Sequence, residues 1–237
     1  MTITTTSSLL PSRGRRASFF VAVTSVVALA ACGDISITIG DSDSKVKGSG
    51  VVASETRAVA PFTAIEATGI GKLKLRIGDS DTLKVTADDN ILSLIKSEVK
   101  DGVLVLSTKG ASHSKSNIVF EASARTIKRL ENSGTVSIDA QGFNGGELSV
   151  ETSGVGSIKL AGRVDVLKVE LSGVGSLDAD DLVADRVTTD LSGVGSATVR
   201  AEKSIRGNVS GIGSLTWRGA ATDVSTNVSG IGRVAKG

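Results

Sequence analysis

Apolar and polar positions alternate with a period of two through much of the chain. Leu73, Leu75 and Ile77 stand between Lys72, Lys74 and Arg76, the signature of a strand with one buried face. Leu83, Val85 and Ala87 repeat the pattern after the turn residues Gly78-Asp79-Ser80-Asp81, so the two runs are expected to pair as a hairpin. Asp88, Asp89 or Asn90 can cap one short helical turn over residues 91–95. Alternation then resumes to Val99, turns at Asp101-Gly102 and returns from Val103 to Leu106, and Asp-Gly between apolar runs is a strong hairpin signal.

From Val119 the alternation is folded into a longer period. The phrase Ser-Gly-Val-Gly-Ser at Ser153 recurs from Ser172, Ser192, Ser210 and Ser229, and more loosely from Ser133, in steps of 20, 19, 20, 18 and 19 residues. A period near 20 residues marks a stacked repeat rather than an ordinary globular core. After Ser153, Ile158 and Leu160 share one face, as do Leu167, Val169 and Leu171, while Lys159, Lys168 and Glu170 point the other way. Each rung therefore offers two or three short strands separated by glycine corners. The corner glycines are Gly134, Gly154, Gly156, Gly173, Gly175, Gly193, Gly195, Gly211, Gly213, Gly230 and Gly232. They are expected to supply the positive φ that a sharp corner demands, with the Val or Ile between them pointing inward. Such a rung cannot bury its apolar side alone, so the rungs must stack about 4.8 Å apart. The fold class read from this pattern is all-β: a right-handed parallel β-helix or solenoid with about 19–20 residues per rung, preceded by N-terminal hairpins.

Composition narrows the chemistry. Aromatic residues make up 3% of the 237 residues, with one Trp and no Tyr, so the core must be built from narrow aliphatic layers. The formal charge of +2 comes from 27 basic and 25 acidic residues; without Arg13, Arg15 and Arg16 the balance is 24 to 25. No basic stripe suggests a nucleic-acid footprint, and no nucleic-acid partner is expected. One Cys and one His exclude an intrachain disulfide and a Cys/His metal site. His113 lies in a polar, turn-rich segment and is read as solvated.

The three arginines precede an uncharged apolar run over residues 17–31, the basic, apolar and small-residue sequence of a secretory signal. The run is shorter than the roughly 20 residues that span a bilayer. Its end, Leu29-Ala30-Ala31-Cys32, resembles a bacterial lipobox. That resemblance implies cleavage before Cys32, a diacylglycerol on its thiol and acylation of the new amino group. Multiple acyl chains hold a protein on a membrane far better than one. Ordinary cleavage after Ala30, leaving Cys32 free, is the alternative. The chain is thus divided into a lipoprotein-type signal peptide over residues 1–31, a lipidated cysteine and Gly/Ser/Asp-rich tether over 32–49, and a β-helical domain over 50–237. A short strand over residues 35–39 is compatible with the tether. The expected location is the bacterial envelope, with the outer membrane or cell surface favoured over the inner membrane.

Two features of the repeats are candidates for binding. Two positions before each corner serine stand Glu131, Glu151, Glu170 and Asp190, then Asn208 and Asn227. They form either a ladder of oxygen ligands suited to Ca²⁺ or an outward, solvated edge. Trp217 is expected in the core or capping it. The last rung, ending just after a corner, offers backbone edges through which a second copy could pair.

The run Arg57-Ala-Val-Ala-Pro-Phe-Thr-Ala-Ile65, the Lys100-Asp-Gly-Val-Leu104 turn and the Ser-Gly-Val/Ile-Gly-Ser corners together resemble the bacterial family called the putative auto-transporter adhesin head domain, or GIN domain, over residues 50–237. The resemblance implies a secreted or lipid-anchored β-helical envelope module and carries over no catalytic residues. The function expected is non-enzymatic adhesion or binding, to a glycan or an envelope protein. A polysaccharide-acting β-helix enzyme and a structural spacer are the alternatives.

Overall fold

The computed structural model describes residues 46–108 and 117–237. The segment read as a signal, with Leu29, Ala30, Ala31 and Cys32, the strand expected over 35–39 and His113 lie outside the described residues.

The chain enters through β1 (Val52–Arg57), β2 (Ala64–Ala67), β3 (Ile70–Ile77) and β4 (Thr82–Asp88). A 3-10 turn over Leu92–Leu94 leads to β5 (Lys96–Lys100) and β6 (Val103–Ser107). The turn is a single short one, as expected, but its N-cap is Ile91 and no side chain caps it. Next come β7 (Val119–Ala124), β8 (Arg129–Asn132), β9 (Thr135–Asn144) and β10 (Glu147–Thr152). Three long strands follow: β11 (Val155–Leu171), β12 (Val174–Leu191) and β13 (Val194–Val209). The described chain closes with β14 (Ile212–Arg218), β15 (Asp223–Val228) and β16 (Ile231–Lys236).

These strands wind into a β-solenoid of about five turns. Its first face stacks β3, β9, the leading half of β11, β12 and β13, then β14 and β16, all parallel. Its second face stacks β2, β8, β10, the trailing halves of β11, β12 and β13, and β15, also parallel. The middle rungs are single strands of 16 to 18 residues bent at a corner, where separate short strands were expected. The bend is a bulge: pairing between β11 and β12 slips between Lys159 and Gly162, and that between β12 and β13 slips between Ala179 and Val183. Rungs of unequal length are absorbed there. Across the opposite corner the register holds, with Leu171 on Leu191 and Val174 on Val194.

The interior follows from that register. Ile138, Ile158, Leu177, Ala197 and Leu215 lie one above another, each at most 3% exposed, facing the column Leu148, Leu167, Val187 and Ile205. Each fully buried Leu or Ile contributes about 1.5–3 kcal/mol, and no single rung could collect it without its neighbours. Trp217 continues the inward column of Val199, 6% exposed, with the Lys236 ammonium 4.7 Å from its ring centroid. It is core, closed over by a cation.

The N-terminal end departs from the sequence reading. β3 and β4 do not pair as a hairpin: β7 lies between them, parallel to β3 and antiparallel to β4. The rung β6–β7 thus stacks beneath β2–β3 although it follows it in sequence. Outside it lie antiparallel β4 with β1 on one face and β5 on the other. The β5–β6 hairpin forms as expected, with Asp101 at φ 51° and Gly102 at φ 75°, the left-handed pair of a tight two-residue turn.

Candidate functional site

The corner phrase builds one edge of the solenoid. At that corner the backbones of successive rungs approach so closely that side chains do not fit. A Cβ on Gly134, Gly154, Gly173, Gly193, Gly211 or Gly230 would lie 1.9–2.1 Å from the carbonyl oxygen of the corner glycine one rung before. On Gly156, Gly175, Gly195, Gly213 or Gly232 it would lie 1.7–2.2 Å from the carbonyl below. Close approach, not a left-handed φ, is what selects glycine at the first of these two positions, since none of its six members has positive φ. The first corner of the series is held by buried Asn132, which accepts from the Gly134 N–H and donates to the Val136 carbonyl, both at 3.2 Å.

Because both glycines of the phrase are pressed against the stack, the residue between them is turned out. Val155, Val174, Val194, Ile212 and Ile231 are 48%, 52%, 48%, 53% and 74% exposed, and the register stacks them on Ile70 and Thr135. The inward pointing expected from sequence is therefore corrected: the interior column is taken by Ile158 and its equivalents, and the corner aliphatics form an outward ladder.

On the other side of the corner serine, the acidic positions line up as the sequence suggested. Glu131, Glu151, Glu170 and Asp190 stack in register and continue into Asn208 and Asn227, whose side chains share a 3.1 Å hydrogen bond. The ladder begins one rung earlier, at Glu66, which pairs with Glu131. The signal for Glu66 was its place two residues before Thr68, which stands where later corners have serine. Arg129 lies 3.3 Å from Glu131, and the Ser149 hydroxyl bonds Glu151 at 3.4 Å. Among the described residues no ion pair reaches Glu170 or Asp190. Like charges one rung apart, about 4.8 Å, repel by about 1 kcal/mol in water.

The first face handles charge differently. Lys84, Glu121, Lys74, Asp139, Lys159 and Asp178 stack with alternating sign. Glu121 sits 3.4 Å from Lys74 and 3.5 Å from Lys84. The hydrogen bond from Lys74, with Lys84 beside it, holds the Glu121 carboxyl below its usual range. Asp181, 3.3 Å from Lys159, raises that ammonium above its ordinary value. At the far corner Asp185 bridges Arg163 at 2.8 Å and Lys203 at 2.9 Å, its carboxyl lowered chiefly by Lys203, and Asp180 bridges Arg200 and Arg218.

Two open, shallow grooves run along the edge. One, about 510 Å³, is bounded by the corner serines and the Val/Ile ladder. The other, about 360 Å³, is bounded by Ser172, Ser192 and Ser210 with Glu170, Asp190 and Asn208. Ser172 and Ser192 belong to both, so the edge presents carboxylates, hydroxyls and aliphatics as three parallel strips. With one carboxylate per rung the acids are spread along a line, and among the described residues no group of three or more His, Cys, Asp or Glu could hold a metal ion. Also among the described residues, no helix is long and apolar enough to cross a membrane.

Comparison with known proteins returns the same architecture. The structure is similar to that of a putative adhesin from Bacteroides fragilis NCTC 9343, with a TM-score of 0.68 and 24% identity over 81% of this chain and 99% of that one. It is also similar to a putative adhesin from Parabacteroides merdae ATCC 43184, with a TM-score of 0.50 and 19% identity over 81% and 98% of the two chains. These likenesses show the fold. No curated protein matches the chain. Residues 61–221, spanning the strands from β2 to β14, match the family described as putative auto-transporter adhesin, head GIN domain, and the chain belongs to that family.

Proposed function

We propose that the chain is an exported binding module of the bacterial envelope, anchored by lipid on Cys32 and adhering through the outward strips of its solenoid edge without a reaction of its own. The observation that carries this reading is the exposed aliphatic ladder. While Ile158, Leu177, Ala197 and Leu215 are buried in the same rungs, five β-branched residues stand out on successive rungs of a scaffold whose backbones are closely stacked. Contiguous exposed apolar surface rimmed by polar residues is the mark of an interaction site. The grooves beside it are open, suiting a surface that meets another surface rather than a cleft that encloses a substrate. Family membership, whose description is that of an adhesin head, supports the same reading. The lipid anchor rests on Leu29-Ala30-Ala31-Cys32, the chain's one cysteine standing where such an anchor requires a thiol.

The test compares cells lacking the chain with cells carrying the wild type or Cys32→Ser, following incorporation of a labelled fatty acid and retention of cells on glycan-coated and protein-coated surfaces. Wild type is expected to take up the label and restore retention, while Cys32→Ser loses the label and is shed. Equal retention with and without the chain contradicts the adhesion reading, and undiminished labelling of Cys32→Ser contradicts the anchor.

A further inference from the structure

We propose that the corner edge docks a basic polypeptide segment, laid so that its apolar side chains rest on the Val/Ile ladder and its Lys or Arg side chains reach the carboxylate ladder. This rests on the binding-module reading above, which already places binding on this edge, and adds the partner's chemistry and how it lies.

The apolar strip defines where a partner sits. Val155, Val174, Val194 and Ile212, each about half exposed, stand in unbroken register on four successive rungs. A lone exposed Val is unremarkable, but a continuous row is an apolar stripe that water meets only at a cost. The carboxylate strip defines the partner's charge. The first face shows that this fold can relieve stacked charge by alternating its sign, yet the edge keeps Glu151, Glu170 and Asp190 in a row. An ammonium or guanidinium supplied from outside relieves that repulsion, whereas an anionic partner, such as an acidic polymer or an anionic lipid surface, adds to it. Ser172 and Ser192 wall both grooves, so one ligand lying over them touches both strips at once. An extended polypeptide suits this layout because its side chains alternate to two sides, about 6.8 Å apart on each, so that about three meet every four rungs, while its backbone offers donors and acceptors to the serine hydroxyls between.

The experiment titrates the purified full chain against labelled synthetic peptides of about twelve residues that alternate Lys with Val, Lys with Ser, or Glu with Val. The Lys/Val peptide is expected to bind about tenfold or more tightly than either control, and less tightly as salt rises. Glu170→Gln with Asp190→Asn should weaken it by about tenfold, and so should Val174→Ser with Val194→Ser. All four side chains point outward, so both double variants should keep the wild-type far-ultraviolet spectrum and a cooperative melt, Glu170→Gln with Asp190→Asn melting no lower than wild type because it removes stacked repulsion. The proposal is overturned by equal binding of the three peptides, by no binding of the Lys/Val peptide, or by wild-type affinity in both double variants. It is overturned as well if light scattering shows a dimer that Val174→Ser with Val194→Ser dissolves, since the edge would then be covered by a second copy. Any of these outcomes, in a chain that still confers retention on cells, removes the basic polypeptide as the edge's partner while leaving adhesion by an exported module standing.

Discussion

Gly193 and Gly102 are glycine for different reasons, and the difference predicts different costs. Gly102 turns the β5–β6 hairpin at φ 75° with open space where a Cβ would go, so alanine there meets only backbone strain. About 1–2 kcal/mol is expected, the usual penalty for a left-handed L-residue. At Gly193 a Cβ would lie 2.1 Å from the Gly173 carbonyl oxygen and 2.6 Å from the Ser172 carbonyl carbon, both backbone. Nothing there is a flexible side chain that can swing aside, so two rungs must separate and their hydrogen bonds with them. Gly193→Ala should therefore cost about 3 kcal/mol or more in denaturant unfolding, clearly above Gly102→Ala. Equal costs would mean that the corner stack yields more easily than its geometry implies. The same crowding explains the outward valines. In the sequence, Gly-Val-Gly reads as two hinges around an apolar residue, and apolar residues are expected inside. The backbone-to-backbone distance between rungs, which decides the matter, is not a property of any one phrase.

At the scale of strands, alternation located β3 to β6 and the faces of the rung after Ser153 but did not assign partners. Leu73 to Ile77 and Leu83 to Ala87 carry the right faces for a hairpin, yet β7, some thirty residues later in the chain, takes the place between them. Period two fixes which side of a strand is buried; it is silent on whether a neighbour in sequence or a later rung lies alongside. Register was legible only where the corner phrase repeats, which is why the ladder of Glu131, Glu151, Glu170 and Asp190 could be read ahead of the structure while Glu66, beside an altered corner, was missed. The alternating charge ladder on the first face was invisible for the same reason, since it joins Lys84, Glu121 and Lys74 across an order that the sequence does not announce. That ladder has a pH signature. Glu121 is held below its usual range in the fold by Lys74 first and Lys84 second, so its contribution is present above the unfolded value, about 4.3, and is lost as pH falls through the lower folded value. The group is exposed and screened, so the effect is small. Glu121→Gln should leave a slightly lower melting temperature at neutral pH and a shallower loss of stability on acidification below about pH 4.3 than wild type shows. A parallel acid profile in the two proteins would remove this pair from the account.

For the whole molecule, the architecture divides labour between its corners. The far corner absorbs rungs of different length through bulges and ties them with Asp185 and Asp180 bridges, leaving the Ser-Gly corner free to hold strict register. The outcome is an edge on which like residues stand above like, aliphatics in one strip and carboxylates in another. This edge presents its aliphatic row to the outside while the neighbouring alternate positions carry the core. Thiol labelling tests it directly, because Cys32 is the chain's only cysteine and Cys32→Ser gives a background without one. In that background, Val174→Cys is predicted to react with a water-soluble maleimide in the native protein at nearly the rate of an unfolded control. Ile158→Cys, at a position 2% exposed, should stay unreactive until denaturant is added. Native protection of Val174→Cys equal to that of Ile158→Cys would mean that the corner aliphatics are buried and the edge has no outward row.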